Sequence, residues 1–427
     1  KITQFILVKS VFLLRECKNT KLFLIIFFLF FRMGKQYNFD ENIERRHSDC
    51  VKYDSLPDTY GRDDLLPLWV ADMDFRSPDF VMEAIRKRCE HEVLGYGNPS
   101  KNYWNAVINW LDRRYNISCQ RNDLHFIPGI VAGISFALLS LTKEGDKILV
   151  TTPVYPPFVN LPQSCNRTLV CSNLKIENGR FLIDFEDFEK KIEGCKLFIM
   201  SNPHNPAGTI WGKETLERIA EICQRKNVIV ISDEIHADLT LSPNKHVSYS
   251  TVSKQAFEHS ITFMAPSKTF NIAGLGSSIC YIGNESLRKQ YFGWIDAMGV
   301  AYGNIFAYTA AEAAFSYGED WLNQMLEYLK SNIALLESFV KENLPKVKMV
   351  LPEASFLAWL DFSDCGKTHK ELSELLINKA GVVLNDGTTF APKSINSQYN
   401  CYFRINLGCP RTTLLEALQR IANSLKD

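Results

Sequence analysis

From about residue 120 to residue 282, short runs of apolar and β-branched residues alternate with longer amphipathic stretches, and turn residues close each run. Such runs are typical of buried strands, and the stretches between them, such as 213–226, have the spacing of helices that connect parallel strands. The pattern predicts five strands of one sheet, at residues 147–151, 197–201, 228–232, 261–265 and 278–282.

The pattern changes after residue 304. A long helical stretch runs through residues 310–342 and ends before Pro345, because proline disrupts a continuing helix. Two strand-like segments follow, at 356–360 and 402–405. We therefore expect an α/β fold, in which a large domain with a mainly parallel mixed sheet covered by helices is joined to a smaller α+β domain.

The length of 427 residues also favours two domains, since a single core stops growing beyond roughly 250 to 300 residues. We assign residues 86–305 to the large domain, and residues 33–85 and 306–427 to a small domain built from both chain ends. Residues 1–32 are basic and contain a ten-residue apolar run, which is half of the roughly 20 needed to span a bilayer. The first methionine is Met33, so we interpret residues 1–32 as a leader or extension outside the fold.

Composition narrows the classes of function. Basic and acidic residues are equal in number, 48 each, so no broad positive field favours nucleic acid, and we expect neither a nucleic-acid nor a membrane partner. Twelve cysteines are scattered without a CxxC pair, which favours a reducing, cytoplasmic compartment. Eight histidines show no HExxH pairing, so we expect no metal site.

Polar motifs follow several of the predicted strands, and in open parallel sheets ligands bind beyond the carboxyl ends of strands. Taken singly, each motif has an ordinary explanation as a turn, a helix cap or a solvated lysine. The motifs are NPHNPAG at 202–208, DEIH at 233–236, PSKTFN at 266–271, and Arg404 within 402–406.

In this order and spacing the motifs resemble the fold-type I pyridoxal-phosphate (PLP) enzymes of the aspartate aminotransferase superfamily, in residues 201–208, 232–236 and 265–275. The cystathionine β-lyase-like MalY/PatB branch is still more similar. That resemblance runs from about Phe39 to the C-terminus, and its motifs are LPLWVADMDF at 66–75, DEIH at 233–236, SKTFN at 267–271 and NLGCPR at 406–411.

The resemblance implies a role for each of five residues around the ring of the cofactor. Lys268 would form the Schiff base with the cofactor aldehyde and later move the substrate α-proton, which requires a pKa well below the usual value of about 10.4. Asp233 would pair with the pyridine nitrogen and keep it protonated. Asn205 and His236 would hydrogen-bond the phenolic oxygen, and Tyr155 would stack on the ring.

The resemblance also implies where the cofactor phosphate binds. A helix start offers free backbone N–H groups to an anion, and the candidates here are Ile130, Val131 and Ala132. Many members of the superfamily carry serine three residues before the lysine, but this chain has Ala265 there. We expect Ser267 or Thr269 to compensate.

For the substrate, the resemblance assigns Arg404 to the α-carboxylate, because its guanidinium is a planar bidentate donor, and places Trp69 and Asp72 in the substrate-binding set. It further implies a homodimer with shared active sites, in which Tyr96 reaches the phosphate bound by the neighbouring subunit. Read without the resemblance, Tyr96 lies in an ordinary glycine-flanked turn.

The function implied by the resemblance is a PLP-dependent carbon–sulfur β-lyase that converts L-cystathionine or a related cysteine S-conjugate to a thiol, pyruvate and ammonia. An aminotransferase would use the same residues and is the main alternative. A third alternative is a relative with an added regulatory role in binding another protein. The residues by themselves do not select the preferred thioether.

Overall fold

The structure is a computed structural model that describes residues 35–426, so the interpretation of residues 1–32 lies outside the described part. The strands are β1 Leu66–Pro67, β2 Leu124–Ile127, β3 Lys147–Thr152, β4 Thr168–Glu177, β5 Arg180–Ile183, β6 Cys195–Ser201, β7 Ile229–Asp233, β8 Ser260–Met264, β9 Ser278–Tyr281, β10 Lys348–Val350, β11 Leu357–Asp361, β12 Val382–Val383, β13 Asn385–Asp386 and β14 Tyr402–Asn406.

Helices lie between most of the strands. Their bounds are Val51–Asp54, Leu56–Tyr60, Asp79–Cys89, Lys101–Tyr115, Ile130–Leu141, Pro156–Ser164, Phe185–Lys191, Lys213–Arg225, Lys254–Glu258, Pro266–Thr269, Glu285–Met298, Ile305–Tyr317, Glu319–Asn343, His369–Glu374 and Arg411–Lys426. Among residues 35–426, none of these helices has the length and apolar character needed to cross a membrane.

Eight strands form the large sheet, in the order β2-β9-β8-β7-β6-β3-β4-β5. Strands β8, β7, β6, β3 and β4 are parallel, whereas β9 runs antiparallel to β8 and β2 antiparallel to β9. The expected α/β fold with a mainly parallel mixed sheet is therefore confirmed. The five predicted strands correspond to β3, β6, β7, β8 and β9, each within two residues at either end.

The centre of the large sheet is buried on both faces. Strand β8 is buried along its whole length, and its Phe263 packs against the helix Ile130–Leu141. The helix approaches closely because Gly133 has no side chain, since a Cβ there would lie 2.6 Å from Cε1 of Phe263. Strands covered on both faces have near-continuous apolar sequences, which is why they could be recognised without alternation.

The prediction of one long helix over 310–342 is wrong. Two helices, Ile305–Tyr317 and Glu319–Asn343, meet at Gly318. Gly318 lies against Phe270, and a Cβ at this position would come within 2.2 Å of Cε1 of that ring. The packing therefore requires glycine, the weakest helix former after proline, where the helical pattern appeared continuous.

A second, antiparallel sheet has the order β10-β11-β14-β13, and the two predicted strand-like segments are its β11 and β14. Trp359 of β11 pairs with Arg404 of β14. A separate parallel pair joins β1 to β12, so residues 66–67 lie beside residues 382–383. The proposed domain boundaries stay a prediction, which this pairing of early and late segments supports.

Candidate active site

A cavity of about 260 Å³ lies where β6 and β7 end and β9 begins. Its lining includes eight of the residues that the sequence predicted for the site: Ile130, Val131, Tyr155, Asn205, Asp233, His236, Ser267 and Lys268. They come from five separate segments of the chain, and the sheet brings them together because parallel strands end at one edge.

Lys268 lies in the short helix Pro266–Thr269 that follows β8. Its Nζ donates a hydrogen bond to the backbone oxygen of Ala71 at 2.6 Å. Burial lowers the pKa of Lys268 to about 8, and the nearby Arg404 guanidinium contributes to the decrease. A much larger fraction of the amine is therefore neutral near pH 7 than in an exposed lysine, and a neutral amine can act as a base or nucleophile.

Asp233 is the last residue of β7, and its Oδ1 accepts a hydrogen bond from the backbone N–H of Ile235 at 3.0 Å. Burial raises the pKa of Asp233 to about 7, although this hydrogen bond and the positive charge of Lys268 oppose the increase. A buried carboxyl group with this pKa gains strongly from a cationic partner, which would stabilise its charged form.

Arg404 lies on β14, is 3% exposed, and its guanidinium connects to the cavity through Asn205. Its Nη1 donates to Oδ1 of Asn205 at 3.0 Å and its Nη2 to the backbone oxygen of Trp69 at 2.9 Å. Asn205 is held from the other side, since its backbone N–H donates to Oγ of Ser201 at 3.1 Å. Nε of Arg404 has no protein partner among the described residues.

His236 and Tyr155 complete the wall around these charges. Burial, with the adjacent positive charges of Lys268 and Arg404, lowers the pKa of His236 to about 3, so the imidazole is neutral. Its Nδ1 has no hydrogen-bond partner among the described residues. Tyr155 directly precedes the helix Pro156–Ser164, and burial raises the pKa of its hydroxyl, which therefore stays protonated.

Ser267 and Thr269 were the candidates to replace the serine that this chain lacks at position 265, and the structure places their side chains differently. Ser267 lines the cavity. Thr269 does not, because its Oγ1 donates to Oδ2 of the buried Asp238 at 3.0 Å. Only Ser267 is therefore placed to contact a ligand in the cavity.

Like Arg404, which reaches the cavity only through Asn205, four other predicted residues do not line it. The indole Nε1 of Trp69 donates to the backbone oxygen of Lys52 at 3.1 Å, so only the backbone of Trp69 reaches Arg404. The carboxylate of Asp72 pairs with Arg45 at 2.6 Å. Ala132 lies in the first turn of its helix without lining the cavity, and Tyr96 is fully exposed.

Several lining residues were not predicted from the sequence, chiefly Ser277 and Ser278, together with Ser201, Ala71 and Ile235. Ser277 is 2% exposed. The signal that could have found both serines is their position directly before and at the start of β9, which runs opposite to β8.

Comparison with known proteins decides the family. Residues 63–421 match the sequence profile of the family described as "Aminotransferase class I and II". The chain belongs to this family. Solved structures that are more than 30% identical to it in sequence have the same fold.

Three known proteins are similar to this chain over most of its length. Cystathionine beta-lyase PatB of Bacillus subtilis (strain 168) is 39% identical over 390 residues, which cover 91% of this chain and 100% of that protein. Cystalysin from Treponema denticola, whose crystal structure contains pyridoxal 5'-phosphate, has a TM-score of 0.88 and 31% identity, over 92% and 100% of the two chains. The PLP-bound C-S lyase from Staphylococcus hominis has a TM-score of 0.85 and 34% identity, over 92% and 99%. The resemblance to the MalY/PatB branch is confirmed.

Proposed function

We propose that this chain is a PLP-dependent carbon–sulfur β-lyase that cleaves L-cystathionine or a related cysteine S-conjugate to a thiol, pyruvate and ammonia. The observation that carries the proposal is one cavity lined by both the Lys268 amine and the Asp233 carboxylate, with Arg404 bound to Asn205 at its wall. The relatives named as cystathionine β-lyase and C-S lyase support the lyase reaction over transamination.

The residues present fit pyridoxal phosphate. Two buried polar atoms at or beside the cavity have no protein partner in the described residues: Nδ1 of His236 and Nε of Arg404. Buried polar atoms without partners are rare, and a polar ligand would satisfy them. The first N–H groups of the helix Ile130–Leu141 also have no partner within the helix and suit a phosphate, with Ser267 beside them.

Bound there, the cofactor supplies an aldehyde that reacts with Lys268 and a ring that takes up the electron pair left when the substrate α-carbon loses its proton. Asp233 would hold the ring nitrogen in its protonated form, and the neutral His236 and Asn205 would hydrogen-bond the ring oxygen. Arg404 would bind the α-carboxylate, which orients the α-proton towards the Lys268 amine. Loss of this proton permits departure of the sulfur from the β-carbon.

The products distinguish the lyase from an aminotransferase. With L-cystathionine and no added 2-oxo acid, we expect pyruvate and a free thiol in equal amounts, measured by a dehydrogenase-coupled assay and a thiol reagent. Activity that requires an added 2-oxo acid, with no thiol released, would show that the chain is an aminotransferase. A chain that binds the cofactor and turns over no substrate would favour the regulatory alternative.

The lowered pKa of Lys268 predicts how the rate of cofactor binding depends on pH. The neutral amine attacks the aldehyde, so the rate at which the cofactor-free chain binds pyridoxal phosphate should rise with pH to a plateau, with a midpoint near 8. The measurement is stopped-flow absorbance of the bound cofactor at a series of pH values. A midpoint near 10.5, the ordinary value, would mean that the cavity does not alter the amine.

We further propose that the active form is a homodimer with shared sites. Tyr96 is fully exposed and lies outside the lining of its own chain's cavity, in a stretch where Val93 and Leu94 are also exposed, by 66% and 65%. An exposed apolar stretch of this kind is suited to burial against another copy of the chain. In a two-fold dimer, Tyr96 of each chain would reach the phosphate in the other chain.

Complementation tests the shared site. A Lys268→Ala chain mixed with a Tyr96→Ala chain, each nearly inactive alone, should regain activity after subunit exchange, because one site per mixed dimer has both residues. The control mixes Lys268→Ala with Asp233→Ala. Both of these residues line one chain's cavity, so no mixed site is complete and activity should stay absent. Equal results in the two mixtures, with exchange demonstrated, would contradict the shared site.

We infer a cytoplasmic location from the cysteines. All eleven in the described residues are free thiols, and five of them, including Cys223 and Cys280, are buried. Free thiols in this number persist in a reducing compartment. A fluorescent fusion that localised outside the cytoplasm would contradict the inference.

A further inference from the structure

Residues 69–75, here called the bridging segment, run between the two groups that carry the proposed chemistry. The segment contains no helix or strand. The backbone oxygen of Trp69 accepts from Arg404 at 2.9 Å, and the backbone oxygen of Ala71, two residues later, accepts from Lys268 at 2.6 Å. The backbone of one short segment thus contacts both the proposed carboxylate-binding group and the proposed base.

Asn406 holds the first half of the bridging segment. Its Nδ2 donates to the backbone oxygens of Val70 and Asp72 at 2.6 and 2.7 Å, and its Oδ1 accepts from the N–H of Gly408 at 2.7 Å. Asn406 is fully buried, and it lies two residues after Arg404 on β14, so both side chains leave the same face of the strand.

Asn271 holds the second half. Its Nδ2 donates to the backbone oxygens of Met73 and Phe75 at 2.8 and 2.7 Å, and its Oδ1 accepts from the N–H of Met73 at 3.0 Å. Asn271 follows Lys268 by three residues and has a φ of +52°, a left-handed conformation that asparagine tolerates better than most residues.

We propose that Asn271 and Asn406 are positioning residues, which fix the bridging segment and thereby set the location of the Lys268 amine relative to the Arg404 guanidinium. The inference rests on the proposed function, because it takes the roles of Lys268 and Arg404 from there. Each asparagine is tied by the chain to one of these residues and by its amide to the segment that contacts both.

The chemistry explains why this relative location matters. In an amino-acid substrate the α-carbon that loses its proton is bonded directly to the carboxylate carbon. The amine must therefore reach the α-hydrogen while the guanidinium holds the oxygens of the neighbouring carboxylate, and a displacement of about 1 Å can slow such a reaction about 100-fold. An amide suits this function because it supplies two donors and one acceptor, whereas a carboxylate in its place would face carbonyl oxygens without a donor.

The test compares Asn271→Ala and Asn406→Ala with Asn332→Ala, in the full chain loaded with pyridoxal phosphate. Asn332 is a matched control, since it is fully buried and its Nδ2 donates to two backbone oxygens, of Leu407 at 3.0 Å and Cys409 at 2.9 Å, outside the bridging segment. Cofactor occupancy is measured by absorbance and stability by thermal unfolding. The rate of α-proton exchange of saturating L-alanine in D₂O is measured by NMR, because alanine has no group to eliminate.

We expect all three variants to be less stable and to retain the cofactor. Exchange should be about 100-fold slower in Asn271→Ala and Asn406→Ala, and close to that of the unsubstituted chain in Asn332→Ala. A binding titration with L-alanine should also show weaker affinity in Asn406→Ala. In that variant the bridging segment, whose Trp69 oxygen accepts from Arg404, is less firmly held. Unchanged exchange in the two bridging variants, or equal slowing in all three, overturns the proposal.

If an alanine variant does not fold, Asn271→Ser and Asn406→Ser, which keep one hydrogen-bond donor, decide the question by the same measurements. A folded serine variant whose exchange is slower than that of the unsubstituted chain, while Asn332→Ala keeps its rate, supports positioning, and a folded serine variant with unimpaired exchange overturns it. Failure of the proposed function is distinguishable, since the unsubstituted, cofactor-loaded chain would then show no exchange of alanine, and the inference would fall with it.

Discussion

Replacement of Lys268 by alanine should abolish turnover of L-cystathionine and remove the yellow absorbance of covalently bound cofactor. No other group in the cavity can form that bond, because the remaining lining residues, among them Asn205, Asp233 and His236, carry no amine. The expected loss is the full activity, measured as pyruvate release. Substitution of the exposed Lys254 by alanine is the control and should leave both readouts unchanged.

Reduction with borohydride and peptide mapping identifies the lysine directly. The label should be found on Lys268. The main competitor is Lys52, which is fully buried, but its Nζ is paired with Asp74 at 2.8 Å and it does not line the cavity. A label on Lys52 or any further lysine would contradict the assignment of Lys268.

Replacement of Asp233 should separate cofactor binding from catalysis. Asp233→Asn keeps the shape and the hydrogen bond from Ile235 but has no charge to keep the pyridine nitrogen protonated. We expect turnover to fall by at least about 100-fold, the typical cost of removing one preorganised electrostatic partner, while Lys268 still binds the cofactor. Asp233→Ala should give a similar loss.

The charge of Asp233, rather than its shape, is tested with a second variant. Asp233→Glu keeps a carboxylate in a slightly different place and should retain more activity than Asp233→Asn. Turnover of Asp233→Asn close to that of the unsubstituted chain, with the cofactor bound, would refute the role of the carboxylate. Absorbance spectra of each variant establish that the cofactor is present.

Buried strands were the most predictable part of the fold. Strands β3, β6, β7 and β8 are covered on both faces, so most of each sequence is apolar and needs no knowledge of its neighbours to be recognised. Strands β4 and β5 were missed, because they are only partly buried and their residues 174–177 and 180–183 pair as a hairpin. The break at Gly318 was missed because its cause, the ring of Phe270, is distant in sequence.

The largest omission from the predicted site, Ser277 and Ser278, follows from the direction of strand β9. Asn205, Asp233 and Lys268 could be predicted as polar residues that follow strands, because β6, β7 and β8 are parallel. Strand β9 is antiparallel to β8, so its contribution to the same edge, Ser277 and Ser278, comes before it in sequence. Apolar runs indicate where strands lie and contain no information on which way they run.

The sequence by itself determined the fold class, the positions of the buried strands along the chain and the residues that follow them, because burial and turn chemistry are local properties of the chain. Only the tertiary structure decided which polar groups meet. It turned Thr269 towards Asp238 and the indole of Trp69 towards Lys52, and it placed Asn271 and Asn406 on one segment. These contacts join residues up to 336 positions apart. Their geometry depends on how distant segments of the chain pack together, and no local sequence pattern encodes that packing.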